Sequence, residues 1–195
     1  MEEAVGFCVM KTKEVIVSGV GLLAVFLNTF VSASDLLVAE RFVDSFYSYD
    51  QNRLAEIMDA GEEGERVLYY QAWADAANYE IQKRRPCTSK ETALVCQITV
   101  IDDFGETLGY MATDTFSLVV ENQKVTGIQF EGDDPPIFMK LFEWISINRA
   151  EIMSGPCLNM FAGGHAPKDC ARAVVSAARD FVLEREQEGE SSLSK

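Results

Sequence analysis

Between Ala93 and Glu131 the chain reads ALVCQITVIDDFGETLGYMATDTFSLVVENQKVTGIQFE, and three runs within it alternate with the two-residue period of a strand. Leu94, Cys96, Ile98 and Val100 share one side of the first run. In the second, Ala112, Asp114, Phe116, Leu118 and Val120 share one side, and Met111, Thr113, Thr115, Ser117 and Val119 the other. Thr126, Ile128 and Phe130 are in phase in the third. Asp103-Phe104-Gly105-Glu106 and Gly109 separate the first two runs, and the polar stretch Glu121-Asn122-Gln123-Lys124 separates the last two. Asn tolerates the left-handed backbone that tight hairpins need. The pattern therefore predicts a three-stranded antiparallel meander with Asp102 and Asp103 in a turn. One face of so long a meander must be covered, and the flanking helices are the available cover.

The flanks switch to helical spacing. Leu36, Ala39, Phe42, Val43 and Phe46 predict a helix over 35–49 that Ser34 or Asp35 can cap. A short helix follows over 52–58, then an acidic loop with Gly61 and Gly64, then a third helix over 65–79 carrying Tyr69, Tyr70, Trp73 and Tyr79. Residues 79–83 read as a strand, and Arg84-Arg85 as a solvated pair at the next turn. Beyond the meander, Asp133-Asp134-Pro135-Pro136 starts a helix over 137–148. A loop with Gly163-Gly164 spans 155–167, and Pro167 opens a last helix to about Arg185, with 187–195 a disordered tail. Residues 34–186 read as a single domain.

At 195 residues the chain can bury a core of its own, and its 48% hydrophobic and 25% charged content is that of a globular domain. The formal net charge of −14 disfavours nucleic acid and anionic membranes as partners. The N-terminus differs in character. Lys11 and Lys13 precede an apolar run over 15–31 that ends Val31-Ser32-Ala33, the pattern of a signal peptide cleaved after Ala33, with Met10 an alternative start. The other reading is a retained anchor, which would tie the chain to a membrane through an uncleaved leader. Its apolar core is short for a stable span. Export places the protein in the periplasm or outside the cell, where Cys87, Cys96, Cys157 and Cys170 are an even set for disulfides. Of the three pairings that four cysteines allow, local geometry favours Cys87–Cys96 across TSKETALV, leaving Cys157–Cys170 to close LNMFAGGHAPKD. The spacings lack paired CxxC motifs, so a metal site is not expected. Nothing in the sequence calls for a cofactor.

The order helix, short helix, helix, antiparallel sheet resembles the nuclear transport factor 2-like superfamily, which includes the SnoaL-like proteins. AERFVDSFYSYDQNRLAEIMD is similar to the family's opening, DTFSLVVENQKVTGIQF to its last two strands, and the cysteines flanking the first of these sheet strands to those of exported relatives. The resemblance covers residues 35–150 and implies an α+β cone: N-terminal helices on a curved antiparallel sheet, here with an added C-terminal helix. It further implies a conical pocket holding a small apolar ligand, with Tyr70, Trp73, Tyr110, Phe116 and Phe130 as candidate ligand-binding residues, and dimerisation through the sheet. Thr113, Thr115 and Ser117 make that outer face only mildly adhesive.

Enzymes of this type use an acid–base Asp, or an Asp–His pair, inside the cone. The single histidine, His165, lies outside the resembling region. Asp114 is the candidate base, because it shares a face with Phe116 and Leu118 and burial would raise its pKa. Tyr70 or Tyr110 would donate the hydrogen bond. Three functions compete on these residues: a binding protein, which the lack of a histidine in the cone favours; a lyase or isomerase using Asp114; and a dimeric scaffold.

Overall fold

The structure, a computed structural model, describes residues 32–193. The predicted leader lies outside them, except for Ser32 and Ala33. Helix α1 (Ala33–Phe46) begins at a capping box, in which Asp35 N donates to Ser32 Oγ at 3.2 Å and Ser32 N donates to Asp35 Oδ2 at 3.0 Å. Asp50 caps α2 (Gln51–Ile57) by accepting from the amides of Asn52 and Arg53. Helix α3 (Gly61–Ala76) starts four residues before the predicted Glu65, with Gly61 at φ +52°.

The sheet contains β1 (Glu80–Arg84), β2 (Thr88–Lys90), β3 (Ala93–Ile101), β4 (Ala112–Glu121) and β5 (Lys124–Gly132). Its order is β1-β3-β4-β5, all antiparallel, with β2 pairing against the start of β3. The predicted meander is β3-β4-β5, and the β4–β5 turn places Asn122 and Gln123 at φ +51° and +66°. A two-residue turn of that hand matches the twist of the strands it joins.

Three expectations are corrected. Residues 103–108 form a helix, α4 (Asp103–Leu108), not a plain turn: Asp102 caps it, and Gly109 ends it at φ +78°. The phase of the third strand changes at a bulge, where Val119 pairs with Gly127 but Val120 pairs with Val125, so Thr126 is passed over. Val125 and Ile128 thus face the core, and Thr126 does not. Arg84 is no free surface charge. It bridges Glu40 and Asp44 of α1, each at 2.5 Å, and Glu40 also accepts from Cys87 N at 2.6 Å. That clamp ties the turn after β1 to the first helix.

Helices α5 (Pro136–Asn148) and α6 (Ala150–Ser154) lead into a loop with a single 3-10 turn at Met160–Ala162. The last helix, α7 (Pro167–Leu193), runs past the predicted end near Arg185. Both local disulfides form, Cys87–Cys96 and Cys157–Cys170. They suit an oxidising environment. Among the described residues, no helix is long and apolar enough to cross a membrane.

Two packed clusters hold the α+β fold together. The first sets α1 and α2 on the sheet, with Phe116 of β4 at its centre. Phe116 is wholly buried, and its ring centroid lies 5.4 Å from Phe42, 5.1 Å from Phe46 and 4.8 Å from Phe130. Burying one such ring stabilises by about 1.5–3 kcal/mol. The second sets α4, α5 and α7 against the far side of α3 through Trp73, Phe104, Phe142 and Val174. Helix α3 is therefore apolar on two sides: Val67 and Ala74 belong to the first cluster, Tyr69 and Trp73 to the second. Gln71 anchors it by donating from Nε2 to the carbonyls of Ser45 and Phe46 at the end of α1.

Candidate functional site

Where the two clusters diverge, a cavity of about 230 Å³ opens between α3, the β3–β4 end of the sheet, α4 and the loop before α7. Its walls are largely aromatic. Tyr69, Tyr70 and Trp73 come from α3, Phe104 from α4, Phe130 from β5 and Phe138 from α5. Met160 and Phe161 close one side, and Phe161 is 56% exposed at the mouth. The Tyr70 hydroxyl donates to the Phe161 carbonyl at 3.4 Å, so α3 braces the loop that rims the opening.

Of the sequence-predicted residues, Tyr70, Trp73, Tyr110, Phe130 and Asp114 all line this cavity. Phe116 does not. It lies behind the wall, packed between Phe46 and Phe130, because its position on β4 points it under α1. His165 is exposed in the loop and is not part of the lining.

Asp114 is 4% exposed, on the same buried face as Phe116 and Leu118. The Tyr47 hydroxyl donates to its Oδ2 at 2.5 Å, while Oδ1 has no hydrogen-bond partner among the described residues. Burial raises its pKa to about 7; the Tyr47 hydrogen bond pulls the other way, and the charges of Asp134 and Asp133 add to the rise. Asp102, 6% exposed, is likewise pushed to about 7, first by burial, against the hydrogen bond it accepts from Gly105 N at 2.6 Å. Asp134 sits at the exposed rim, its pKa raised by partial burial and by the neighbouring charge of Asp133.

The phenols respond in the same sense. Desolvation and nearby carboxylates hold Tyr47, Tyr79 and Tyr110 well above the ordinary range, and Tyr49 at about 12. All remain proton donors near neutrality. The hydroxyl of Tyr69 is buried without a partner among the described residues, and that of Tyr110 is buried beside the Asp134 carboxyl. An apolar chamber with a carboxyl poised near pH 7 and phenols ready to donate can bind an organic molecule and exchange a proton with it.

Sequence reasoning missed Asp102, Asp134 and Tyr47. Asp102 and Asp134 sit in stretches that read as turn and helix-start punctuation, and nothing local distinguishes a cap that faces solvent from one that faces a cavity. Tyr47 had a usable signal: it follows Val43 by one helical turn on the apolar stripe of α1.

Comparison with models of known protein families and with curated proteins gave no match to this chain.

Proposed function

We propose that this is an exported protein of nuclear transport factor 2-like type whose cavity binds a small, largely apolar molecule. The preformed aromatic chamber of about 230 Å³ between α3 and the sheet supports this reading. The local disulfides and the leader-like N-terminus support export. The test is titration with N-phenyl-1-naphthylamine, a neutral probe that brightens in apolar surroundings. Ala112 of β4 lines the chamber, and Ala112→Phe would fill it. Bright, saturable binding to the native protein and its loss in a folded Ala112→Phe variant are expected. Equal binding by both proteins, or by neither, overturns the reading. Intact mass would show whether the leader is removed after Ala33.

A second reading, acid–base catalysis of lyase or isomerase type, is favoured by one observation: Asp114 is buried at the chamber wall, with a phenol on one oxygen and its pKa near 7. Here Asp114 would take the proton, and Tyr110, which lines the chamber as a protonated phenol, would donate to the developing oxyanion. Solvent deuterium incorporation next to the carbonyl of small ketones is expected with the native protein and not with Asp114→Asn. Exchange that Asp114→Asn leaves intact would remove Asp114 from the chemistry.

A further inference from the structure

We propose that the ligand of this cavity is an organic cation: an ammonium group lodged among Asp102, Asp114 and Asp134, with its apolar body against the aromatic wall. This rests on the reading that the cavity is a binding site.

The first support is the sign of the lining. Three side chains there carry an ionisable acid, and no Lys, Arg or His is among them. An anionic ligand would meet acidic groups with no counter-charge beside them. Two neighbouring cations lie outside the lining. Arg84 pairs with Glu40 and Asp44. Arg66 lies in the adjoining groove, packed against Gly163, outside the chamber.

The second support is unspent hydrogen-bonding capacity. Asp114 is nine-tenths buried and lines the chamber with only Oδ2 bonded, and the buried hydroxyl of Tyr69 has no partner among the described residues. Native interiors seldom leave such atoms unsatisfied, because each costs roughly 1–3 kcal/mol. An ammonium supplies donors to the free carboxylate oxygen, and the aromatic faces of Trp73, Phe104 and Phe138 supply the attraction that ring quadrupoles offer a cation.

The third support concerns the kind of cation. Among the described residues, no three His, Cys, Asp or Glu side chains converge closely enough to hold a metal ion. The overall charge of −14 would also draw a cation toward the mouth.

The experiment is calorimetric titration of the full mature protein at pH 8 with three matched probes: 2-(1-naphthyl)ethylammonium, 2-(1-naphthyl)ethanol and 1-naphthylacetate. The ammonium should bind at least about tenfold more tightly than the alcohol, as a charge-assisted contact implies, and the carboxylate weakest of all. In Asp114→Asn that preference should shrink while the alcohol still binds. If Asp114→Asn does not fold, Asp134→Asn at the exposed rim should show the same narrowing. Equal affinity for ammonium and alcohol, or tightest binding of the carboxylate, overturns the cation assignment and leaves the binding site standing. Failure of all three probes, together with N-phenyl-1-naphthylamine, overturns both.

Discussion

Tyr47 and Asp114 lie 67 positions apart in the chain and meet in a 2.5 Å hydrogen bond from phenol to carboxyl. The contact fastens the end of α1 to the middle of the sheet at the wall of the cavity. Tyr47→Phe removes the donor and leaves the carboxyl buried. The variant should lose about 1–3 kcal/mol in urea unfolding. Because the lost bond favoured the charged form, the Asp114 pKa should rise further above 7, measured by carbon NMR of its carboxyl. An unchanged titration would show that the phenol does not control that proton.

Stability should fall as pH rises. Asp102 and Asp114 each have a folded pKa of about 7, against an ordinary aspartate near ~3.9. Between those values the folded chain holds more protons than the unfolded one, so unfolding releases protons and is favoured by raising the pH. The loss should run from about pH 4 to about pH 7, be complete above that, and amount to several kcal/mol for the pair. At Asp114 the Tyr47 hydroxyl opposes the rise while the charges of Asp134 and Asp133 reinforce it, and at Asp102 Tyr79 opposes it while Asp134 and Asp114 reinforce it. Asp114→Asn should flatten the slope in thermal melts recorded across this range. A native profile flat from pH 5 to pH 7.5 would count against buried, proton-holding carboxyls.

Gly105 lets Asp102 fold back onto α4. A Cβ there would sit 2.8 Å from Asp102 Oδ1 and 3.0 Å from the Tyr110 carbonyl. Gly105→Ala should therefore cost about 1–3 kcal/mol and displace Asp102 from the chamber. Urea unfolding reads the first effect, and a changed carbon NMR titration of Asp102 reads the second.

The two disulfides should differ in what they control. Cys157–Cys170 closes the loop carrying Met160 and Phe161, whereas Cys87–Cys96 clips the far end of the sheet. Replacing either pair by alanine should cost about 2–4 kcal/mol. Only the Cys157/Cys170 pair should speed amide exchange over 158–166 and weaken binding of N-phenyl-1-naphthylamine. Equal loss of binding in both variants would mean that the loop does not shape the mouth.

Much of this was legible in the residues. The period of β4 placed Asp114 on the buried face, and the spacing of the cysteines anticipated both bridges. What stayed hidden depends on distance in the chain. No local pattern tells that Asp102 caps a helix into a cavity, or that Arg84 reaches back 40 and 44 residues to Asp44 and Glu40. The strand period failed at Thr126 because one extra residue in a bulge reverses the facing of everything before it. Phe116 was assigned to the pocket because its face is the pocket's face; that α1 occupies this part of the face is a tertiary fact.

Helix α3 contributes side chains to both packed clusters. Neither cluster can come apart without stripping one side of that helix, so the two should share a single cooperative melting transition, with no separately unfolding C-terminal half. A guest held against Trp73 and Tyr70 would grip the helix common to both, and its binding free energy would be felt as protection across the whole domain.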